Sequence, residues 1–428
     1  PFRRKISFPV RCHRGALPSP RAMALEQIAI CGGGNAAHVM SALCPTLLPD
    51  ARVHVLTVFG DEAERWNAKM QETGKFVVTS NGEDGSQTQL EARPTLVTKD
   101  PAAAIPGSQV IFLPLPAFAH EGYLKAIAPH VAPGAIIVGM PSYPGFSWLV
   151  REVISNPSVG KRALGADRAV NVKVVGTDTL PWACRLQEYG ASAEILGTKR
   201  QILMCGGSEE TVATVQKCFG EFPKLITGSG LTVDLAGPNP IGHGAIMYGT
   251  WHAWDGQPLS EKPLLYHGVD AFSAELMEKM SAEVLKTRDA IQEKKPGLAL
   301  ADVKSIQDFL KASYPVQIKD PSTLQSCLLT NTAFNGLTHP MKSTEDGRFV
   351  PDFGYRYFTE DLPIGLVPLR GIAEIVGVET PEMDKVIAWM QEKTGKEFLK
   401  DGKLNGKDIA ETRAPSRFGI TSLEQLVW

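Results

Sequence analysis

Gln27-Ile28-Ala29-Ile30-Cys31-Gly32-Gly33-Gly34-Asn35-Ala36-Ala37 is the stretch on which the reading of this chain turns. A short apolar run over 27–30 meets three glycines. A helix-compatible segment follows over 37–47, and then a second apolar run, Val53-His54-Val55-Leu56-Thr57-Val58. Strand, glycine turn, helix and strand open a parallel βαβ unit. Within it, Gly32-x-Gly34-x-x-Ala37 fits the dinucleotide fingerprint. The first glycine makes the tight turn and the second lets the backbone approach a pyrophosphate. The small third residue lets helix and strand close together, and the helix N-terminus offers unpaired N–H groups to phosphate. Gly32, Gly33, Gly34, Asn35, Ala36 and Ala37 are therefore the predicted cofactor turn.

Outward from this turn the same alternation continues. Segments 110–115 and 135–140 read as buried parallel strands with a helical stretch, 120–127, between them, and 173–176 and 193–197 read as two more strands. Segments 76–80 and 87–92 read as a hairpin inserted in the sheet. To about residue 205 this describes an open, doubly wound parallel sheet, an α/β Rossmann domain over 23–205. From Glu209 onward strand signals nearly vanish. Helical periodicity takes over, as at 271–294 with Phe272, Leu276, Met277, Met280, Val284 and Leu285 on one face, and again at 364–376 and 383–393. Residues 206–428 are accordingly predicted to form an all-α second domain, with the boundary near Cys205-Gly206-Gly207.

The whole-chain numbers agree with two domains. At 428 residues the chain exceeds one ordinary core. Its 43% apolar and 21% charged content excludes wholesale disorder. A formal charge of −2 argues against nucleic-acid or membrane-surface binding, which needs a basic excess. No apolar run is long enough to span a bilayer. Seven widely spaced cysteines with no CxxC pair argue against a disulfide framework or a zinc site, so no metal is expected and free thiols fit a reducing cytoplasm. Segment 1–22 differs from the rest: Arg3, Arg4, Lys5, Arg11, Arg14 and Arg21 come without one acid, as in a leader or a non-native extension that carries no fold.

The second strand lacks the usual carboxylate at its end. Thr57 closes it, the first acids are Asp61 and Glu62, and Arg65 one turn later can reach a phosphate. Without a basic cluster there, NAD is favoured over NADP. Pro114 and Pro116 stop the fourth major strand at the sheet's carboxyl edge, where cofactors lie, and Pro141-Ser142-Tyr143-Pro144-Gly145 reaches the same edge. His243, in Asn239-Pro240-Ile241-Gly242-His243-Gly244-Ala245, can move a proton near neutrality. Arg356, five residues before Asp361, can grip a carboxylate with its planar fork, and Asp361 can orient an imidazole. Read locally, His243 also suits a buried structural histidine, and Arg356 with Asp361 a surface ion pair.

Several motifs in order carry a resemblance. The glycine turn, Pro116-Ala117-Phe118-Ala119-His120-Glu121-Gly122-Tyr123, Thr179-Leu180-Pro181-Trp182-Ala183-Cys184-Arg185, His243-x-Ala245, Trp254-Asp255-Gly256 and Arg356-Tyr357-x-Thr359-Glu360-Asp361 resemble the opine dehydrogenase family from about Met23 to near the C-terminus. That resemblance implies NADH-dependent reductive condensation of pyruvate with an amino acid, regenerating NAD when oxygen is short, by a cytoplasmic monomer. It implies His243 as catalytic histidine, Asp361 as its partner, Arg356 on the keto-acid carboxylate and Thr179 in the substrate cleft. Tyr143 stands where octopine-type enzymes carry glutamine, and Asp178 where they carry glutamate. Gly237 and Phe309 also replace larger side chains. These departures point away from arginine and toward alanine, glycine or taurine. The alternatives are an octopine dehydrogenase using L-arginine, an NAD-dependent 2-hydroxy-acid dehydrogenase and a non-catalytic dinucleotide sensor.

Overall fold

The computed structural model describes residues 24–81, 87–155 and 171–427; the extension expected over 1–22 lies outside them. Six strands form the parallel centre of an eight-stranded sheet: β1 (Gln27–Cys31), β2 (Arg52–Leu56), β5 (Leu96–Thr98), β6 (Val110–Leu113), β7 (Ile136–Gly139) and β8 (Lys173–Thr177). Their spatial order, β5-β2-β1-β6-β7-β8, is the doubly wound order with its switch point between β1 and β6. β1, β6 and β7 are buried along their whole length because helices cover both faces. Alternate residues enter different cores: Ile28, Ile30, Val110 and Phe112 pack on one side, Ala29, Cys31, Ile111 and Leu113 on the other.

Two parts of this half differ from the sequence reading. The hairpin of β3 (Phe76–Asn81) and β4 (Gln87–Ala92) does not insert into the main sheet. It joins β9 (Trp182–Glu188) and β10 (Ser192–Thr198) in a second, four-stranded sheet, so the strand expected at 193–197 belongs there as well. β4 is half-exposed, the mark of a covering layer, whereas β1, β6 and β7 are buried on both faces. The main sheet also continues past Cys205. β11 (Gln201–Cys205) runs antiparallel to β8, and β12 (Lys224–Gly228) adds a parallel edge after the helix Glu209–Gln216. β12 was missed because its exposed edge position leaves it no continuous apolar run.

The second half is helical apart from the short pair β13 (Met341–Ser343) and β14 (Phe349–Pro351). Its longest helix, Ala271–Lys294, starts where the Asp270 carboxylate accepts the Ser273 N–H at 2.7 Å, a satisfied N-cap. Leu276, Met277, Met280 and Val284 of that helix enter a core shared with Phe358, Leu362 and Leu366. Phe272, expected on the same face, is exposed beside the rings of Tyr248 and His252.

Buried polar contacts join the halves. The Arg413 guanidinium donates to the carbonyls of Ser142 at 3.0 Å and Ala117 at 2.8 Å and meets His120 Nδ1 at 3.0 Å. The Gly145 N–H donates to Asp234, and Arg417 pairs with Glu121 at 2.8 Å. The loops so gripped follow β6 and β7, which places the helical half over the sheet's carboxyl edge. Among the described residues no helix is long and apolar enough to cross a membrane, and no cluster of three or more His, Cys, Asp or Glu is placed to hold a metal ion.

Candidate active site

Two of the three glycines in the turn have a steric reason, and the third does not. Gly32 has φ +124°, and a Cβ there would lie 2.6 Å from Leu115 Cδ2. A Cβ on Gly33 would collide with the Glu62 carboxylate and the Tyr189 hydroxyl. A Cβ on Gly34 would meet nothing within 4 Å, so no protein atom demands glycine at that position. The helix it precedes, Asn35–Leu47, has no side-chain cap and no acid in its first turn. An uncapped helix N-terminus beneath open space is a cradle for phosphate, and the residues present fit a dinucleotide. Ala36 and Ala37 are buried beneath it.

The Asn35 side chain accepts the Leu186 N–H at 2.9 Å, tying the helix start to β9. Fully buried Thr57 donates its hydroxyl to Glu62, whose carboxylate thus reaches back to the end of β2, where the sequence has no acid of its own. Arg65 pairs with Asp61 at 2.9 Å and lies 4.5 Å from the centre of the Tyr189 ring. Pro116 is exposed at the start of the helix Ala117–Ile127.

Across the sheet edge, the structure brings His243, Asp361 and Tyr143 together. His243 lies on the helix Asn239–Trp251, with Nδ1 2.8 Å from Asp361 Oδ2. Both side chains are nearly sealed from water, at 11% and 2% exposure. The Tyr143 hydroxyl lies 3.3 Å from the other carboxylate oxygen. Tyr143 holds a left-handed backbone, φ 60°, rare for a bulky residue. Two further tyrosines complete the imidazole's surroundings: the Tyr266 hydroxyl is 3.0 Å from Nε2, and the Tyr357 ring stacks on the imidazole at 3.8 Å. Burial raises the pKa of Tyr143 and Tyr266, and pushes Tyr357 up to about 12, so all three stay protonated. With Nδ1–H donated to the carboxylate, Nε2 is the nitrogen left for chemistry.

Arg356 stands beside this group, half-exposed, with Nη2 2.7 Å from Glu360 Oε2. Asp178 and Thr179 lie elsewhere on the edge, just after β8. Thr179 Oγ1 accepts from Lys199 Nζ at 2.6 Å, and Asp178 accepts the Leu203 N–H at 3.2 Å. Burial raises the Asp178 carboxyl to about 6 against the pull of Lys199. Among the described residues neither makes a hydrogen bond or ion pair with His243 or Asp361. A Cβ on Gly237 would meet nothing within 4 Å, and Phe309 packs on the helical core.

Glu62 stood in the sequence reading as one of the first acids after the second strand, whereas Tyr266, Tyr357, Glu360 and Lys199 were not singled out. Tyr357 and Glu360 sit inside the motif that singled out Arg356 and Asp361, which was their only signal. Tyr266 and Lys199 carry none, because their roles come from long-range packing.

The helical half matches a family model, NAD/NADP octopine/nopaline dehydrogenase, alpha-helical domain, over residues 227–394. The chain is 40% identical over 407 residues to tauropine dehydrogenase of Arabella iricolor, covering 94% of this chain and 99% of that protein. It is 41% identical over 406 residues to octopine dehydrogenase of Mizuhopecten yessoensis, covering 94% and 98%. The fold is similar to a structure of octopine dehydrogenase with NADH and L-arginine, with TM-score 0.83 and 40% identity over 94% of this chain and 98% of that one. A glycine cradle for a dinucleotide, a buried His–Asp pair at the sheet's carboxyl edge, and likeness over almost the whole length lead to one conclusion: the chain belongs to the opine dehydrogenase family of NAD-dependent oxidoreductases acting on CH–NH bonds.

Proposed function

We propose that the protein condenses pyruvate with a small amino compound (alanine, glycine or taurine) and reduces the adduct with NADH, regenerating NAD when oxygen is scarce. The observation that carries this reading is the buried His243–Asp361 pair beside Arg356. Imine formation expels water and needs a proton donor, and His243 Nε2 can give that proton and take it back in reverse. Asp361 holds Nδ1–H, fixes the tautomer and stabilises the charged ring. Arg356 receives the pyruvate carboxylate and turns the keto carbon toward the cleft. Bound NADH supplies the hydride that reduces the C=N carbon. Gly34 and the uncapped helix would hold its phosphates. Glu62 at the end of β2 disfavours an extra ribose phosphate, which supports NADH over NADPH.

Identity does not choose the amino substrate, since the tauropine and octopine enzymes are 40% and 41% identical to this chain. The substrate-side carboxylate speaks against arginine. Asp178 is occupied by the Leu203 N–H and lies next to the Lys199 charge, so it offers a guanidinium little net attraction. Thr179 would act at the cleft rim through Lys199, and Tyr143 by narrowing the space above Asp361. The free, buried cysteines suit a reducing cytoplasm, and we read the enzyme as a monomer. The test is steady-state NADH oxidation with pyruvate and each amine. Turnover with alanine, glycine or taurine at least tenfold above arginine is expected. Preference for arginine, or full turnover on pyruvate alone, would overturn the substrate assignment.

A further inference from the structure

Glu360 is fully buried, next in sequence to Asp361, and its two carboxylate oxygens face different halves of the molecule. Oε1 accepts the Ala117 N–H at 2.7 Å. Ala117 is the first residue of the helix Ala117–Ile127, which has no side-chain cap and no acid of its own in its first turn. Glu360 therefore supplies, from the helical half, the anion that this helix N-terminus lacks. Oε2 lies 2.7 Å from Arg356 Nη2 as an ion pair without an aligned N–H, so it keeps acceptor capacity. Among the described residues, Nε and Nη1 of Arg356 meet no protein acceptor. The side chain of Arg356 is 47% exposed and Glu360 is 0% exposed, so the rigid partner is the carboxylate and the adjustable one the guanidinium. Arginine carries considerable rotamer freedom when nothing holds it.

We propose that Glu360 is a positioning residue. Anchored on the Ala117 backbone, it holds one edge of the Arg356 fork so that the free edge meets the anionic ligand at the cleft, and it sets Arg356 and Asp361 in register with the sheet edge. This rests on the reading of Arg356 as a ligand-binding arginine. Glu360→Gln separates the two contacts: its amide oxygen still accepts the Ala117 N–H, but it no longer attracts the guanidinium.

The experiment is a double-mutant cycle on the full-length enzyme with Glu360→Gln, Arg356→Ala and the pair. It reads kcat, the KM for pyruvate, the NADH dissociation constant and the melting temperature. Glu360→Gln is expected to keep the melting temperature and kcat near wild type while raising the pyruvate KM about tenfold, the cost of a carboxylate contact of Arg356 that is no longer held in place. In the Arg356→Ala background the same change should have no further effect on KM. An equal rise in both backgrounds, an unchanged KM or a fall in KM would overturn the proposal; a fall would mean that Glu360 competes for Arg356. If Arg356→Ala weakens NADH and spares pyruvate, the ligand assigned to Arg356 fails, yet the positioning inference stands provided Glu360→Gln shifts the same constant. If Glu360→Gln instead moves the other constant, the inference fails.

Discussion

The Tyr143 hydroxyl and the Asp361 carboxylate meet at 3.3 Å, on the oxygen that His243 does not use. The loop after β7 in one half thereby touches the residue that fixes the imidazole in the other. The two bonds to Asp361 should differ in weight. Replacing Asp361 by Asn lets the wrong tautomer form, and kcat is expected to fall about 10²- to 10⁴-fold with NADH affinity unchanged. Tyr143→Phe removes one hydrogen bond that is long, at 3.3 Å, and so near the weak end of the range, and kcat should fall by about tenfold or less. Stopped-flow turnover with NADH fluorescence titration separates the two, and equal losses would contradict the ranking.

Gly34 allows stability and cofactor binding to be pulled apart. Gly34→Ser gives the helix Asn35–Leu47 the capping hydroxyl it lacks, so the melting temperature should hold or rise. The same side chain enters the open space above the turn, and the NADH dissociation constant should rise at least about tenfold. Gly32→Ala should instead lower the melting temperature, because φ +124° and Leu115 leave no room for a side chain. Thermal melts with and without NADH test both.

Asp178 gives a signed pH dependence. Its carboxyl is raised to about 6 in the folded protein by burial, against about 3.9 in an unfolded chain. Between these values the native state holds the extra proton, so this group's contribution to stability falls as pH rises through the window and stays unfavourable above it. Asp178→Asn is expected to be more stable than wild type at pH 7.5 by about 2 kcal/mol, with the gain vanishing near pH 4. Urea unfolding of both proteins at the two pH values measures it, and a gain independent of pH would refute it.

The sequence made the parallel centre of the sheet readable because β1, β6 and β7 are uninterrupted apolar runs between glycine and proline stops. The second sheet was not readable as separate. β3 and β10 have ordinary strand composition, and only their mutual register, Val77 beside Ser192 and Val78 beside Ala193, tells which sheet they enter. His243 and Asp361, 118 positions apart, could be nominated from residue type but not joined by any local rule. Tyr266 on the free imidazole nitrogen follows only from the packing of the loop before Ala271.

Arg413 should be among the least replaceable residues outside the site. Arg413→Met leaves the carbonyls of Ala117 and Ser142 buried without their donor, and a loss of about 3 kcal/mol is expected. Arg413→Lys should recover only part of it, since an ammonium cannot span both carbonyls as a fork does. Equilibrium denaturation of both variants checks the order.

That guanidinium stands 271 positions after Ser142 and 296 after Ala117, yet it completes both of their loops. Neither half of the protein is therefore a self-sufficient module. A fragment ending at the last strand of the main sheet would leave those two carbonyls bare at the sheet's carboxyl edge, and on the ribosome that edge stays unfinished until the helical half has followed it.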